Sequence, residues 1–367
     1  MNQNRLALLA LHAIPGIGDV TLRQLISYAG NAENVFKTPK GKLLKIPGIG
    51  RITAEAIRTG NTFKQAEKEL TKAEKDDVQI LLFTDTNYPS RLKQVPDAPC
   101  ILYVKGNVDF ENPKTVGIVG TRKATDYGRN CVEDLIIGLK EHKPLIVSGL
   151  AYGIDIQAHK QAVKHNLPTI GVMGSGVDVI YPPAHQETAK KMLHLGGLVT
   201  ENSFGTKPDA HNFPARNRII AALSDALIVV EAAEKGGALI TADISNSYNK
   251  DVFAFPGNIG QSYSTGCNNL IKSNKAYMIT DVKDLEYLMN WDLNEPTKKN
   301  HFNIGEDFSD EERSIVQILQ SNNNQLMIDE LGWRSNINIS KLASILLTLE
   351  FKGIVNALPG KIYKLKL

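Results

Sequence analysis

TVGIVGTRKATDYG, residues Thr115–Gly128, decides how the chain folds. Val116 to Val119 is a short apolar run rich in β-branched residues, the signature of a strand buried on both faces. Gly120 lets the chain turn sharply and leaves backbone N–H groups uncovered. Thr121, Arg122 and Lys123 follow at once. A helix then begins near Asp126, a residue suited to the N-cap, and continues through Asn130, Val132, Leu135, Ile136 and Leu139. An open α/β sheet offers a phosphate site in this way, at the carboxyl end of a strand. The helix start supplies partial positive charge and Arg122 a full one. The plainer reading is a simple βα turn with a solvated arginine.

Working outward, apolar runs recur at 79–84, 100–104, 116–119, 145–147, 169–173, 198–200, 227–230, 252–255 and 276–279, with helical patterns between nearly all from 116 onward. This alternation predicts a doubly wound, mostly parallel sheet with helices on both faces. Polar residues gather just past the strand ends, where such folds place ligands. Ser148-Gly-Leu-Ala-Tyr-Gly-Ile-Asp155 leads to His159. Gly174-Ser-Gly176 leads to Asp178 and Tyr181. His211-Asn-Phe-Pro-Ala-Arg-Asn-Arg218 precedes the 227–230 run, and Glu231 then Gly236-Gly237 follow it.

Enzyme motifs are thin. No GxxxxGK[ST] occurs, which argues against a P-loop NTPase. Gly174-Ser-Gly176 lacks the third glycine of a dinucleotide fingerprint. His159, His185, His194 and His211 are not spaced for a metal. Ser148-Gly149 is no nucleophile elbow. Asp155 and Asp178 each follow a glycine-rich turn and read as caps of backbone N–H groups.

Residues 211–218 are different. No acidic residue lies between Asp209 and Asp225, and Pro214 suits the first turn of a helix running on through Ile219, Ile220 and Leu223. Arg216, Asn217 and Arg218 sit at its start. At 100° per residue the two arginines face different ways, so one is expected to reach a ligand and the other to pair internally. Phe213 beside these cations either stacks on an unpaired base or staples the helix entry.

At the N-terminus, Ile14-Pro-Gly-Ile-Gly18 recurs as Ile46-Pro-Gly-Ile-Gly50, each copy between apolar helix patterns. This resembles a tandem helix-hairpin-helix module. Proline ends one helix, two glycines make the turn, and the next helix starts with free donors able to hold a DNA phosphate, with Arg23, Lys45 and Arg51 nearby. The alternative is a structural hairpin that packs on its neighbour. Residues 61–78 read as a solvated linker helix. At the C-terminus, helices near 310–320, 325–332 and 339–351 precede a hairpin turning at Pro359-Gly360, a winged-helix layout. Its would-be recognition helix offers only Lys341, so protein contact is expected there rather than major-groove reading.

Composition sets the frame. The chain has 367 residues, 42% hydrophobic and 22% charged, with net charge +3. Residues 1–75 hold twelve Lys and Arg against six Asp and Glu; residues 300–367 hold seven against eight. No run approaches the ~18 apolar residues of a membrane span. Cys100, Cys131 and Cys267 are scattered, as expected of thiols in a reducing, cytoplasmic compartment.

VGIVGTR, SGLAYGID, GSGVDVIYP, FPARNRIIAALSD, VVEA followed by GALITA, and FPGN followed by GCNNLI, in this order across about 79–290, resemble the DprA/Smf DNA-processing family. The resemblance implies an extended Rossmann-like core, a helical SAM-like domain in front (1–75), a linker at 291–305 and a winged-helix domain at 306–367. It also implies a homodimer that binds single-stranded DNA, protects incoming strands and loads RecA recombinase onto them in natural transformation. No reaction and no cofactor are implied. The site would comprise Gly120, Thr121, Arg122, Ser148, Gly149, Phe213, Arg216, Asn217 and Arg218. Gly153, Asp155, Gly174, Gly176, Gly236 and Gly237 would shape its turns. Gly236-Gly237-Ala238 stands where Ser-Gly-Ser is usual, and Pro183 where some members carry a cation. Lys207, His211 and Lys250 are the candidate substitutes. The competing reading is a nucleoside-monophosphate hydrolase of a related fold, but Glu231 precedes Lys235-Gly236-Gly237 and no Pro-Gly-Gly-x-Gly-Thr loop exists. A structural scaffold is the third.

Overall fold

In a computed structural model, described over residues 3–210, 212–291, 308–322, 324–358 and 361–365, the chain forms two compact units, Met1–Asp292 and Leu293–Leu367. His211, most of the 291–305 linker and the Pro359-Gly360 turn lie outside the described residues.

The larger unit is built on nine strands: β1 (Val78–Leu82), β2 (Ile101–Gly106), β3 (Thr115–Val119), β4 (Leu145–Ser148), β5 (Thr169–Val172), β6 (Gly197–Thr200), β7 (Ala226–Val229), β8 (Asp251–Ala254) and β9 (Tyr277–Met278). They lie in the order β1-β2-β6-β5-β4-β3-β7-β8-β9. β1, β2 and β6 pair antiparallel, and β6 through β9 run parallel. From β3 the order proceeds outward through β4, β5 and β6, then returns to β7 on the other side of β3. The switch point therefore lies between β3 and β7, the place where such sheets open a crevice at their carboxyl ends. Every residue of β3 is buried, which explains its continuous apolar run.

Helices Asn212–Leu223 and Gly237–Ser247 cover one face of the sheet; Asp126–Leu139, Ile154–Lys164 and Val282–Met289 cover the other. The first of these begins one residue earlier than the sequence suggests. Thr125 is the N-cap, accepting from the Gly128 N–H, and Asp126 sits inside the first turn. Among the described residues no helix is long and apolar enough to cross a membrane.

The N-terminal helices pack onto the sheet within the larger unit. Helix Phe63–Lys75, expected as a solvated linker, buries Ala66 and Ala73, and their cluster extends through Ile80 and Leu82 of β1. Both Ile-Pro-Gly-Ile turns close alike: the Ile17 N–H donates to Ile14 O at 3.0 Å and that of Ile49 to Ile46 O at 3.1 Å. Gly16 and Gly48 supply the positive φ each turn requires. The first hairpin docks onto the core. Asp19 Oδ1 accepts from the Cys100 N–H at 2.7 Å, and Arg23 donates to Ala98 O at 2.9 Å while lying over the Phe83 ring.

The smaller unit follows the winged-helix layout: helices Asp310–Gln320, Ile328–Ser335 and Ile339–Phe351 with strands β10 (Gln325–Met327), β11 (Val355–Leu358) and β12 (Ile362–Leu365), ordered β10-β12-β11. Residues 325–327, expected as the start of the second helix, instead pair with β12. Leu326 between two exposed neighbours is the strand alternation that the helical reading overlooked.

His159 is completely buried, held by Thr169 Oγ1 at 2.7 Å and Gly149 O at 2.5 Å. Burial holds it neutral, pulling its pKa to about 4, well below the ordinary 6.5. The unfolded chain therefore takes up a proton that the folded chain refuses as pH falls from 6.5 toward 4. Urea unfolding is expected to show about 3 kcal/mol of stability lost across this window through this site, and His159→Gln is expected to remove that dependence.

Candidate nucleic-acid interface

At the switch point the loops after β3, β4 and β7 and two helix starts enclose a cleft of about 760 Å³. Gly120, Thr121 and Arg122 form one wall; Phe213, Arg216 and Asn217 a second; Lys235, Gly236 and Gly237 a third; Asp155 and Tyr181 also line it. These segments are distant in sequence and meet only because the crossover after β6 returns the chain beside β3.

Arg122 is exposed, and its guanidinium carbon sits 5.4 Å from the centroid of the Phe213 ring. A cation over an aromatic face at this distance is held without losing its exposed edges. Tyr181 lies beside the same ring, centroids 6.4 Å apart. The Thr121–Arg122 turn is fixed from behind. Gly153, at φ +80°, packs so closely that a Cβ there would lie 2.1 Å from Thr121 O, and the Ile154 N–H donates to that same oxygen at 3.1 Å.

Arg216 is the internal arginine. It is 5% exposed and donates from Nη1 to Val172 O at 2.7 Å. It faces buried Asp155, whose Oδ2 accepts from the Ala151 N–H at 3.4 Å, the capping role expected of it. Burial raises the Asp155 pKa and lowers that of Arg216, each effect opposed by the charge of the other. Gly149 makes room for the pair: a Cβ there would lie 1.9 Å from Arg216 Nη1 and 2.2 Å from Asp155 Oδ2. Asn217 Nδ2 donates to Gly237 O at 3.2 Å, joining the two helix starts. Gly236 caps helix Gly237–Ser247 without any side-chain bond, so this helix start opens on the cleft.

Four expected contacts are placed elsewhere. Arg218 does not reach the cleft. It donates to Asp97 O and to Glu201, lies 3.4 Å from Asp19, and so joins the first hairpin to the sheet. Glu201 is buried enough that its pKa rises to about 7 despite Arg218. The two arginines do face apart: Arg216 lies buried at the wall of the cleft and Arg218 outside it, while the exposed arginine at the wall is Arg122. Lys250 precedes β8, at the opposite end of the strands, near Asp225 and Arg91. Ser148 is fully buried, with Oγ donating to Ile118 O at 2.5 Å. Lys207 is exposed outside the cleft, although Pro208 and Ala210 beside it line the wall. His211 is outside the described residues. Gly174 packs on Phe213, and the Gly176 N–H donates to Thr206 O at 2.9 Å. Asp178 Oδ1 caps the Gly205 N–H at 2.9 Å.

Lys235 is the cleft cation that the sequence reading did not select. Its signal was its place immediately before Gly236-Gly237. Glu231 accepts from Thr125 N and Oγ1 at 2.9 and 2.6 Å and so caps a helix. Among the described residues no group of His, Cys, Asp and Glu is arranged to hold a metal ion.

Residues 79–290 match the family model described as DNA recombination-mediator protein A, and residues 305–361 match the DprA winged helix domain. The chain is 36% identical to protein Smf of a Synechocystis strain over 74% of its own length and 70% of that protein. The crystal structure of DNA processing protein A from Streptococcus pneumoniae is similar at TM-score 0.62 and 30% identity, over 78% of this chain and 98% of that one. DNA processing protein A from Helicobacter pylori, whose structure is described in terms of its single-stranded DNA binding mode, is similar at TM-score 0.53 and 28% identity, over 58% and 96%. The sequence blocks, the nine-stranded sheet and these matches agree that this chain belongs to the DprA/Smf family of DNA-processing, recombination-mediator proteins.

Proposed function

We propose that the cleft holds single-stranded DNA and that the protein performs no reaction on it. The observation that carries this is the Arg122 guanidinium 5.4 Å over the Phe213 ring at the wall of the cleft. A base can stack on such a ring or cation, and a phosphate can pair with the guanidinium edge. The uncapped start of helix Gly237–Ser247 and Lys235 provide further positive charge opposite. A duplex keeps its base faces covered, so stacking of this kind selects the unpaired strand. The carboxylates nearby already hold structural bonds: Asp155 caps Ala151 and faces Arg216, and Glu231 caps Thr125. In the cell the protein would act in the cytoplasm as a homodimer, protect incoming strands in natural transformation, and load RecA recombinase onto them. Family membership and the single-strand binding described for the Helicobacter pylori relative support this reading.

The test is oligonucleotide binding across a salt series. Arg122→Ala is expected to weaken single-strand binding about tenfold and to flatten the log–log salt slope by about 0.7, the loss of one phosphate contact. Phe213→Ala is expected to cost about 1–3 kcal/mol, one stacked base, with the slope unchanged. Equal preference for duplex, no effect of either substitution, or release of free base from a nucleoside monophosphate would overturn the reading. Arg218→Ala is expected to leave the salt slope unchanged and to lower unfolding stability by about 3 kcal/mol, because Glu201 loses its cation in a buried setting.

A further inference from the structure

A second cavity lies beside the cleft and has no part in the strand-binding reading. It measures about 540 Å³ and opens at the carboxyl ends of β3, β7 and β8, between the start of helix Asp126–Leu139 and the loop from Pro256 to Ser264. The two sites share a wall, since the Thr121 N–H donates to Glu231 O at 2.7 Å. Their chemistry differs. Among the described residues no Lys, Arg or His lines the second cavity. Glu231 lines it instead, 4% exposed, and its side chain is bonded only to Thr125 among the described residues. Those two bonds use half of the roughly four that a carboxylate can accept. Ser264 also lines the cavity. It is 8% exposed, yet it caps no backbone N–H of helix Thr265–Lys272 and its hydroxyl has no partner among the described residues. Gly257 leaves room for that hydroxyl: a Cβ there would lie 2.1 Å from Ser264 Oγ. Asn268 clamps Gly257 by its N–H and its carbonyl, at 3.1 and 2.9 Å, which fixes the loop. Two rings border the space. The Tyr127 hydroxyl donates to Pro256 O at 2.5 Å, and the carbonyl of half-buried Tyr263 accepts from the Ala232 N–H at 2.8 Å.

We infer that this second cavity recognises a guanine base. A buried carboxylate with no cation beside it calls for N–H donors, and its unused acceptor positions suit two donors side by side. The Watson–Crick edge of guanine carries N1–H and N2–H next to each other. Adenine and cytosine set an acceptor beside their single amino group, and thymine flanks its N–H with two carbonyls. Each of these brings a lone pair against the carboxylate. The O6 carbonyl of guanine, next to N1, accepts from the Ser264 hydroxyl at the uncapped start of helix Thr265–Lys272, where partial positive charge suits an oxygen. Tyr127 and Tyr263 offer aromatic faces to the base plane. With no cation in its wall the cavity reads a base and leaves the phosphate outside. Its volume is that of a small-molecule site. A guanine of a strand lying in the neighbouring cleft and a free guanosine present the same edge. The inference does not rest on the strand-binding reading, because guanosine alone tests it.

The experiment has two arms, both on the full chain. Equilibrium dialysis compares guanosine, adenosine and cytidine. Competition compares an oligothymidylate with the same oligomer carrying one central guanine. Guanosine is expected to bind about tenfold tighter than adenosine or cytidine, the discrimination of one bidentate pair. Glu231→Gln is expected to abolish that preference with the circular dichroism spectrum unchanged. Ser264→Ala, a smaller change that decides the matter if Glu231→Gln unfolds, is expected to weaken guanosine binding about fivefold. Arg122→Ala, which weakens strand binding through the cleft, is expected to leave guanosine binding intact, so the two sites are tested separately. A guanine preference in the nucleoside arm alone assigns the cavity to a free ligand, and one in the oligomer arm alone assigns it to the strand. Equal binding of the three nucleosides together with equal binding of the two oligomers overturns the proposal. So does a guanine preference that survives both Glu231→Gln and Ser264→Ala.

Discussion

A guanidinium sealed beneath the cleft sets the geometry above it. Arg216 is held by the carbonyl of Val172 and faced by Asp155, and Gly149 alone leaves space for both. A buried charge of this kind costs several kcal/mol unless it is answered. The arrangement therefore tolerates little movement between the turn after β4 and the start of helix Asn212–Leu223. Phe213 belongs to that helix start, so its ring is fixed with it. Arg122 then finds the ring because Gly153 presses the Thr121–Arg122 turn into place. Two glycines and two facing buried charges thus convert three separate loops into one surface.

This division of labour separates charges that hold the protein together from charges that remain available. Arg216 and Arg218 are both committed internally, one under the cleft and one at the junction with the first hairpin. Arg122 and Lys235 stay at the cleft, with the uncapped helix start between Gly236 and Gly237. On the proposed reading, a site with few free cations, an aromatic ring and a helix dipole would grip a flexible polyanion loosely and with little regard to sequence.

Most of the fold was legible because its signals are local and repeated. Nine apolar runs became nine strands, and β3 was recognisable from its β-branched content and following glycine. The grouping of residues 120–122 with 213, 216 and 217 was also legible, since strand ends at a switch point share one edge of the sheet. What escaped was pairing through space. Arg218 carries the same local context as Arg216, and only the fold shows that Glu201, Asp19 and the Asp97 carbonyl reach it. Lys250 looked available because periodicity does not reveal at which end of a strand a flanking cation falls until the strand's direction is known. The short β10 was hidden by neighbouring helical residues, its alternation spanning only three positions.

The duplicated hairpin shows how one residue can give two identical turns opposite fates. After the second glycine the first copy carries Asp19 and the second Arg51. The acidic version brings its own anion to the head of its helix and spends it on the Cys100 amide and the Arg218 side chain, so that copy has become a rivet between modules. The basic version has no carboxylate in its first turn. The same turn is thus a joint in one copy and, one repeat later, sets a cation at the head of its helix.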